Sequence, residues 1–254
     1  MSNILTTHVG SLPRSKELSE FLFAKDKGEK FSQSSFDEVL KNNVESVVKR
    51  QLDVGIDFVS DGEMSKISYA TYIKDRIDGF SGESERRAPA DLDDFPEYKE
   101  KIAKSGGTPT YTRPCCTNEL KVKDETSLLQ DINNFKNSLD KLNHRHAFMN
   151  SASPGVINVF MPNKFYSTED EYLDKLSNIM AKEYELITKS DIQVQLDCPD
   201  LALARHMNFK NLSEDEFIKR AELQIECLNS ALSNVDVEQT RMHICWGNYE
   251  GPHT

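Results

Sequence analysis

His243 and Cys245 are the pair of side chains whose types and spacing most directly suggest chemistry. They are separated by one residue in a short apolar run, residues 242–245, whose pattern predicts a strand. Residues i and i+2 of a strand point to the same side, so an imidazole and a thiolate would project together. Nitrogen and sulfur donors suit zinc, although a catalytic zinc needs a third protein ligand. The pair predicts half of a metal site; taken alone, a core cysteine beside a loop histidine is the simpler interpretation.

Polar side chains also follow other short apolar runs that are predicted to be strands. Ser11 follows the first run, Glu63 follows the second in the sequence Asp61-Gly62-Glu63, and Asp197 follows the fifth. Each has a simpler alternative role. Ser11 could be the N-cap of a short helix, and Glu63 could be a loop carboxylate or the partner of a helix N-cap. Asp197 could cap the turn that precedes a proline.

The order of the predicted elements indicates an α/β fold. Short apolar runs alternate with segments of helical spacing, which predicts parallel strands, either doubly wound or closed in a barrel. The predicted strands are 4–9, 56–60, 108–112 or 120–122, 147–149, 192–196 and 242–245. The predicted helices carry apolar stripes within 36–52, 128–142, 172–187 and 217–232.

The polar residues at the strand ends favour the barrel. In a TIM (β/α)₈ barrel every strand ends at the same mouth, whereas in an open sheet the strands far from the switch point have little use for such residues. We therefore predict a single catalytic barrel domain over residues 1–254, with about six of the eight βα units and an incomplete C-terminal end. Residues 81–105 are rich in charge and contain two prolines, which predicts a surface insertion or lid.

Composition excludes several classes of partner. The 254 residues are 37% hydrophobic and 29% charged, which is typical of a soluble globular protein with a sizeable core. A net charge of -11 argues against binding to nucleic acid or an anionic membrane. The N-terminus lacks the basic and apolar regions of a secretory signal, and the five scattered cysteines indicate free thiols. We expect a cytoplasmic protein, with no prediction of its oligomeric state.

Five strand-end motifs together resemble the catalytic barrel of the cobalamin-independent methionine synthases, in particular their short single-barrel branch. The motifs are TTHVGSLPR (6–14), SDGEMSK (60–66), SASPG (151–155), QLDCPDL (195–201) and HIC (243–245). Each is weak alone, but five in this order and spacing are specific.

The resemblance implies a zinc-dependent methyltransferase that moves a methyl group from a methyl-folate or methyl-corrinoid donor to homocysteine, forming methionine. It implies that Gly10 and Ser11 meet the amino-acid end of homocysteine and that Glu63 and Asp197 hold its ammonium through charge-assisted contacts. It also implies that His243 and Cys245 ligate zinc, which removes the proton of a thiol that otherwise titrates near ~8.5.

Some family features are missing from this sequence. The family completes its zinc shell with a Glu and a second Cys from the last two strands, and neither position lies in this chain; His253 is more simply a loop residue than a substitute. Cys198 stands where relatives carry an acidic residue. Two alternatives therefore remain: alkyl transfer to another thiol, as in epoxide opening with coenzyme M, and an inactive metal-binding remnant.

Overall fold

Helices and parallel strands alternate along most of the chain, as predicted. The computed structural model of the protein describes residues 4–85, 90–104, 111–144 and 146–247. The α-helices are α1 (Lys16–Asp26), α2 (Gln33–Asp53), α3 (Pro96–Lys104), α4 (Thr126–Leu139), α5 (Pro154–Phe160), α6 (Glu169–Thr188) and α7 (Glu214–Ala231). The strands are β1 (Phe58–Ser60), β2 (Ile77–Ser81), β3 (Cys115–Val122), β4 (His146–Ala152), β5 (Gln193–Asp197) and β6 (Thr240–His243).

Four of the strands form a parallel sheet in the order β1-β4-β5-β6. Helix α2 packs on β1, and α6 packs on β4 and β5. The alternation of side chains along a strand sends Met149, Val194 and Leu196 into the core beneath these helices. Asn150, Gln195 and Asp197 alternate with them and therefore belong to the opposite face, which carries the polar groups.

Local sequence explains where the helices begin. Ser153 accepts a hydrogen bond from the backbone N–H of Val156 and is followed by Pro154 at the first helical position, so α5 begins directly after β4. Ser213 and Glu216 form a reciprocal capping box at the start of α7. The Ser153 cap turns the chain sharply at the carboxyl end of β4.

Two of the six predicted strands do not join the sheet as strands. The segment 4–9 makes a single parallel bridge, from Thr7 to Phe58, and its Ile4 and Leu5 side chains are exposed. The predicted third strand at 120–122 is the end of β3, which pairs antiparallel with β2 in a separate hairpin; the alternative at 108–112 lies mostly outside the described residues. Because β1 pairs directly with β4, no third strand separates them.

The α/β class and the parallel sheet are confirmed, and the described residues do not form a closed barrel. The sheet is nevertheless strongly curved. This curvature is shown by a hydrogen bond of 3.1 Å that Arg241 of β6 donates to Thr7 beside β1. In a flat sheet these two edges would be about 19 Å apart, at ~4.8 Å for each of the four intervals between them. One arginine side chain cannot bridge that distance.

The predicted insertion at 81–105 is described over 81–85 and 90–104. It contains a short 3₁₀ helix, Ala90–Leu92, and then α3. The backbone N–H of Ala90 donates to the carbonyl of His206, which places this part of the insertion beside the segment that follows β5. Its role as a lid stays a prediction, as does the single-domain organisation. In the part of the chain that the structure describes, no helix is long and apolar enough to cross a membrane.

A buried ionic network lies under β4 on the helical side of the sheet. Arg76 donates to Asp131 and to Glu183 of α6, and Tyr72 and Ser151 also donate to Glu183. Burial alone would raise the pKa of Glu183, but the Arg76 guanidinium holds it below its usual value. The network thus supplies the buried charges with their partners.

Replacing Arg76 should destabilise the fold strongly. Arg76→Leu leaves two buried carboxylates unpaired, and we expect the free energy of unfolding to fall by about 3–5 kcal/mol in urea titrations. The matched control is Lys49→Ala, which removes an exposed helical ion pair with Asp53 and should cost at most about 0.5 kcal/mol. Equal losses in the two variants would contradict a structural role for the network.

Candidate active site

The loop Asp61-Gly62-Glu63 after β1 is held in an unusual backbone conformation. Gly62 and Glu63 both have positive φ, 65° and 56°, and a non-glycine residue such as Glu63 adopts this region only when its surroundings impose it. The backbone N–H of Glu63 donates to the Asp61 carboxylate (3.1 Å), and Arg14 donates to the carbonyls of Glu63 and Lys66 (both 2.7 Å). These contacts fix the direction in which the Glu63 side chain leaves the loop.

Both carboxylate oxygens of Glu63 accept hydrogen bonds within the protein. The Ser11 hydroxyl donates to Oε2 (2.8 Å), and the Asn150 side-chain amide donates to Oε1. Ser11 is therefore a partner of Glu63 and not the N-cap of a helix, since Ser15 caps α1. Glu63 is 1% exposed, so its orientation is set by these two donors.

Asp197 ends β5 and is 5% exposed. The Gln195 amide donates to its Oδ1 (3.3 Å) and also to Oδ1 of Asn150 (3.2 Å). Burial, with the nearby Glu63 carboxylate, raises the pKa of Asp197 to about 7, while Lys66 and the hydrogen bonds from Gln195 and Asn150 oppose that rise. At neutral pH this carboxyl is therefore close to its titration point and gains from a nearby cation.

His243 and Cys245 lie at the end of the neighbouring strand. His243 ends β6 and is paired in register with Asp197, whereas Cys245 lies two residues beyond, after the strand has ended. The backbone N–H groups of Cys198 and Leu203 donate to the carbonyls of His243 (2.9 Å) and Cys245 (3.1 Å). Burial lowers the pKa of His243, which favours the neutral imidazole that can act as a ligand.

One cavity of about 350 Å³ brings all six sequence-predicted site residues together. They are Gly10, Ser11, Glu63, Asp197, His243 and Cys245, and the rest of the wall is formed by Val9, Tyr69, Pro199, Leu203 and Gly247. Among these described wall residues there is no lysine or arginine. The cavity therefore combines two carboxylates with no basic side chain of its own, an environment that suits a cationic ligand group.

The donor set for a metal is incomplete in the described part of the chain. His243 and Cys245 face the same cavity with a nitrogen and a sulfur donor, which fits one side of a zinc site. Within residues 4–85, 90–104, 111–144 and 146–247, however, no three His, Cys, Asp or Glu side chains are placed to hold a metal ion. His253 lies outside the described residues.

The structure also reveals residues that the sequence analysis overlooked. Asn150 and Gln195 link the two carboxylates, and the Lys66 ammonium donates to the backbone carbonyl of Asn150. Tyr69 also lines the cavity. The amides inside the buried runs of β4 and β5 were the available signal, because buried polar side chains need partners.

The sequence is similar to proteins of known activity over nearly its whole length. Residues 4–89 match the sequence model described as "Cobalamin-independent synthase, Catalytic domain". The chain is 25% identical over 245 residues to the methionine synthase of Sulfolobus acidocaldarius, which covers 96% of this chain and 62% of that protein. A 75-residue stretch, 30% of this chain and 10% of the relative, is 31% identical to the 5-methyltetrahydropteroyltriglutamate--homocysteine methyltransferase of Bifidobacterium adolescentis.

Solved structures agree with these matches. The B12-independent methionine synthase of Shewanella sp. W3-18-1, in complex with selenomethionine, has a TM-score of 0.65 at 17% identity and covers 95% of this chain and 61% of its own. The putative vitamin-B12-independent methionine synthase of Listeria monocytogenes has a TM-score of 0.64 at 14% identity and covers 98% of this chain and 68% of its own. The chain is similar to the cobalamin-independent methionine synthases. The resemblance that its five motifs indicated is confirmed.

The chain spans about three-fifths of the length of the curated methionine synthases that it matches, 62% for the Sulfolobus protein. Of the six cavity residues named above, Gly10, Ser11 and Glu63 lie within the segment 4–89 that matches the family. Asp197, His243 and Cys245 lie outside that segment. The structure therefore joins the two parts in one cavity.

Stability should depend on pH through Asp197. Its pKa is about 7 in the folded protein, against ~3.9 in an unfolded chain, so between these values the folded state binds a proton that the unfolded state has released. The stability of the native protein therefore falls as pH rises through this window. Asp197→Asn removes this effect, and we expect its free energy of unfolding, relative to the native protein, to increase by about 2 kcal/mol from pH 5 to pH 8. A difference that is the same at both pH values, in urea titrations, would refute the shift.

Proposed function

We propose that this chain carries the catalytic machinery of a zinc-dependent S-methyltransferase. The reaction moves a methyl group from a methyl-folate or methyl-corrinoid donor to homocysteine and forms methionine. The observation that supports it most is the single cavity at the carboxyl edge of the sheet, which two carboxylates, a hydroxyl, an imidazole and a thiol all line. The names of the relatives, methionine synthase and homocysteine methyltransferase, support the same reaction.

The amino-acid end of homocysteine fits the acidic half of the cavity. Glu63 and Asp197 would hold the ammonium group, since a cation between them offsets the cost of burying two carboxyl groups. Gly10 has a positive φ of 77° and no heavy atom near the Cβ that it lacks, so its backbone is open to close approach by a ligand. Ser11 would hold Glu63 in place from the same segment.

The thiol of homocysteine would then lie on the side of His243 and Cys245. These two residues would hold zinc, which when bound supplies a positive charge that lowers the pKa of a coordinated thiol. The substrate sulfur forms a bond to the methyl carbon, and the bond from that carbon to the donor breaks with its electron pair staying on the donor. The side chains around the cavity would orient the sulfur and exclude water from it.

The sheet supports a proposal about the architecture as well. Its curvature, its parallel strands and the site at their carboxyl ends are those of a segment of a (β/α)₈ barrel. We propose that β1, β4, β5 and β6 are part of such a barrel.

Zinc binding is the first expectation to test. After zinc loading and exhaustive dialysis, we expect about one zinc per chain by elemental analysis, lost in His243→Ala and in Cys245→Ala. Cys227→Ala is the matched control, because Cys227 is a buried thiol on α7 that does not line the cavity, and it should retain the metal. Equal zinc retention in all variants would contradict the assignment of the ligands.

Turnover is tested on the zinc-loaded chain with L-homocysteine and either methyl-tetrahydrofolate or methylcobalamin, by mass spectrometry of the products. Methionine that depends on His243 and Cys245 supports the proposed reaction. A thioether formed with 2-mercaptoethanesulfonate and an epoxide, but none with homocysteine, would instead favour the alternative alkyl transfer. Bound zinc without any product would indicate the metal-binding remnant.

Glu63 should determine affinity for the amino group. We expect Glu63→Gln to weaken L-homocysteine binding by about 10- to 100-fold in calorimetry, because a charge-assisted hydrogen bond contributes about 1.5–3 kcal/mol. Binding of 4-mercaptobutanoate, which has the same thiol and carboxylate but no amino group, should change little. If both ligands lose affinity equally, Glu63 does not bind the amino group.

A further inference from the structure

Asn150 contacts the Glu63 carboxylate from outside the cavity. It lies on β4, is 3% exposed and does not line the cavity itself. Its side-chain amide donates to Oε1 of Glu63, and its side-chain carbonyl accepts from Gln195 (3.2 Å). Gln195 in turn donates to Asp197 (3.3 Å). The two amides thus connect the carboxylate in the loop after β1 with the carboxylate at the end of β5.

The register of the sheet is what allows this connection. Asn150 is paired with Gln195, and Ala152, two residues later, is paired with Asp197. Alternation along the strands therefore puts Asn150, Gln195 and Asp197 on one face, with the small side chain of Ala152 beside Asp197. The Asn150 amide can reach forward to the carboxylates because no larger side chain intervenes on β4.

The position of Asn150 is itself fixed. The buried Lys66 ammonium donates to its backbone carbonyl, and this ammonium also lies 4.2 Å from the centre of the Tyr72 ring. On the other face of β4, the neighbouring Ser151 donates to Glu183 (2.7 Å). The strand is held by polar contacts from both sides, so the amide has little freedom to follow a displaced carboxylate.

Two buried carboxylates repel each other when both are ionised and would turn apart if nothing tied them together. A neutral amide can restrain them without cancelling their charge, whereas a lysine or arginine in the same place would neutralise the pair. The Asn150 side chain therefore leaves the negative charge available to a ligand and sets where the two carboxylates stand.

We propose, on the basis of the proposed function, that Asn150 is a positioning residue for the Glu63–Asp197 pair. Through this pair, Asn150 gives the site its selectivity for a thiol that carries a protonated amino group. Asn150 does not touch the ligand and acts through the two carboxylates.

The test measures selectivity, defined as the affinity for L-homocysteine relative to that for 4-mercaptobutanoate, by calorimetry on the zinc-loaded chain. We expect Asn150→Leu, which keeps the size of the side chain, to weaken homocysteine binding about 10-fold, since hydrogen bonds to charged groups are lost. Binding of 4-mercaptobutanoate should stay within about twofold, because that ligand places no cation between the carboxylates. Gln195→Met is a second variant, in which the same loss of selectivity should be smaller.

Ser151→Ala is the matched control on the same strand. It disturbs the contact to Glu183 on the helical face, so it should lower stability and leave selectivity unchanged. If the native protein prefers homocysteine and the Asn150 and Gln195 variants keep this preference, the inference is overturned and the proposed function stands. A native protein without any preference for homocysteine would overturn both.

Discussion

The arrangement of this site depends on burying two carboxylates at the edge of a parallel sheet without placing a basic side chain in the cavity. Glu63 is 1% exposed and Asp197 is 5% exposed, and burial raises the pKa of Asp197 to about 7. Such burial costs free energy unless hydrogen bonds and a cation compensate for it. The protein supplies the hydrogen bonds from Ser11, Asn150 and Gln195. The cation is left for the ligand to supply, and that is the physical origin of the proposed specificity.

The basic side chains near the site are directed to the backbone instead of the cavity. Arg14 donates to the carbonyls of Glu63 and Lys66, and Lys66 donates to the carbonyl of Asn150. Each of these contacts fixes the main chain that carries a site residue. The Lys66 charge still acts at a distance, since it opposes the rise in the pKa of Asp197. Positive charge thus shapes the acidic site without occupying it.

The sequence was sufficient to predict the residues at the strand ends but not the contacts between them. Glu63 and Asp197 follow short apolar runs and His243 lies within one, and a parallel sheet brings the carboxyl ends of its strands to one edge wherever such runs pair. The helices were predicted for a related reason. The apolar spacing of a helix such as α2 is a local pattern, and it predicts the helix whichever elements the helix packs against. Asn150 was missed because its importance depends on register, and a shift of β4 by one residue would have placed it among the helices.

The errors in the predicted strands have the same origin. The apolar residues of 4–9 look like a strand, but pairing there is limited to the bridge from Thr7 to Phe58. The run at 120–122 is a strand, yet its partner is β2 and not the parallel sheet. The β propensity of a segment indicates that it can form an extended strand. Which strand it pairs with depends on contacts between residues that are distant in sequence. The incomplete barrel of about six βα units was predicted from strand ends alone, whereas the described residues pair only four strands in the parallel sheet.

Curvature connects these observations to chemistry. Ser11 follows the segment at one edge of the sheet, and His243 and Cys245 end the strand at the other, yet all three line one cavity. They can do so because the sheet bends until Arg241 reaches Thr7 across its polar face, with the guanidinium 4.1 Å from the centre of the Phe148 ring. In a flat sheet Asp197 would still adjoin His243, its partner on the neighbouring strand, but Ser11 and Glu63 would lie several strands away. The same bend that lets Arg241 cross the sheet therefore brings Ser11 and Glu63 to the cavity that His243 and Cys245 line.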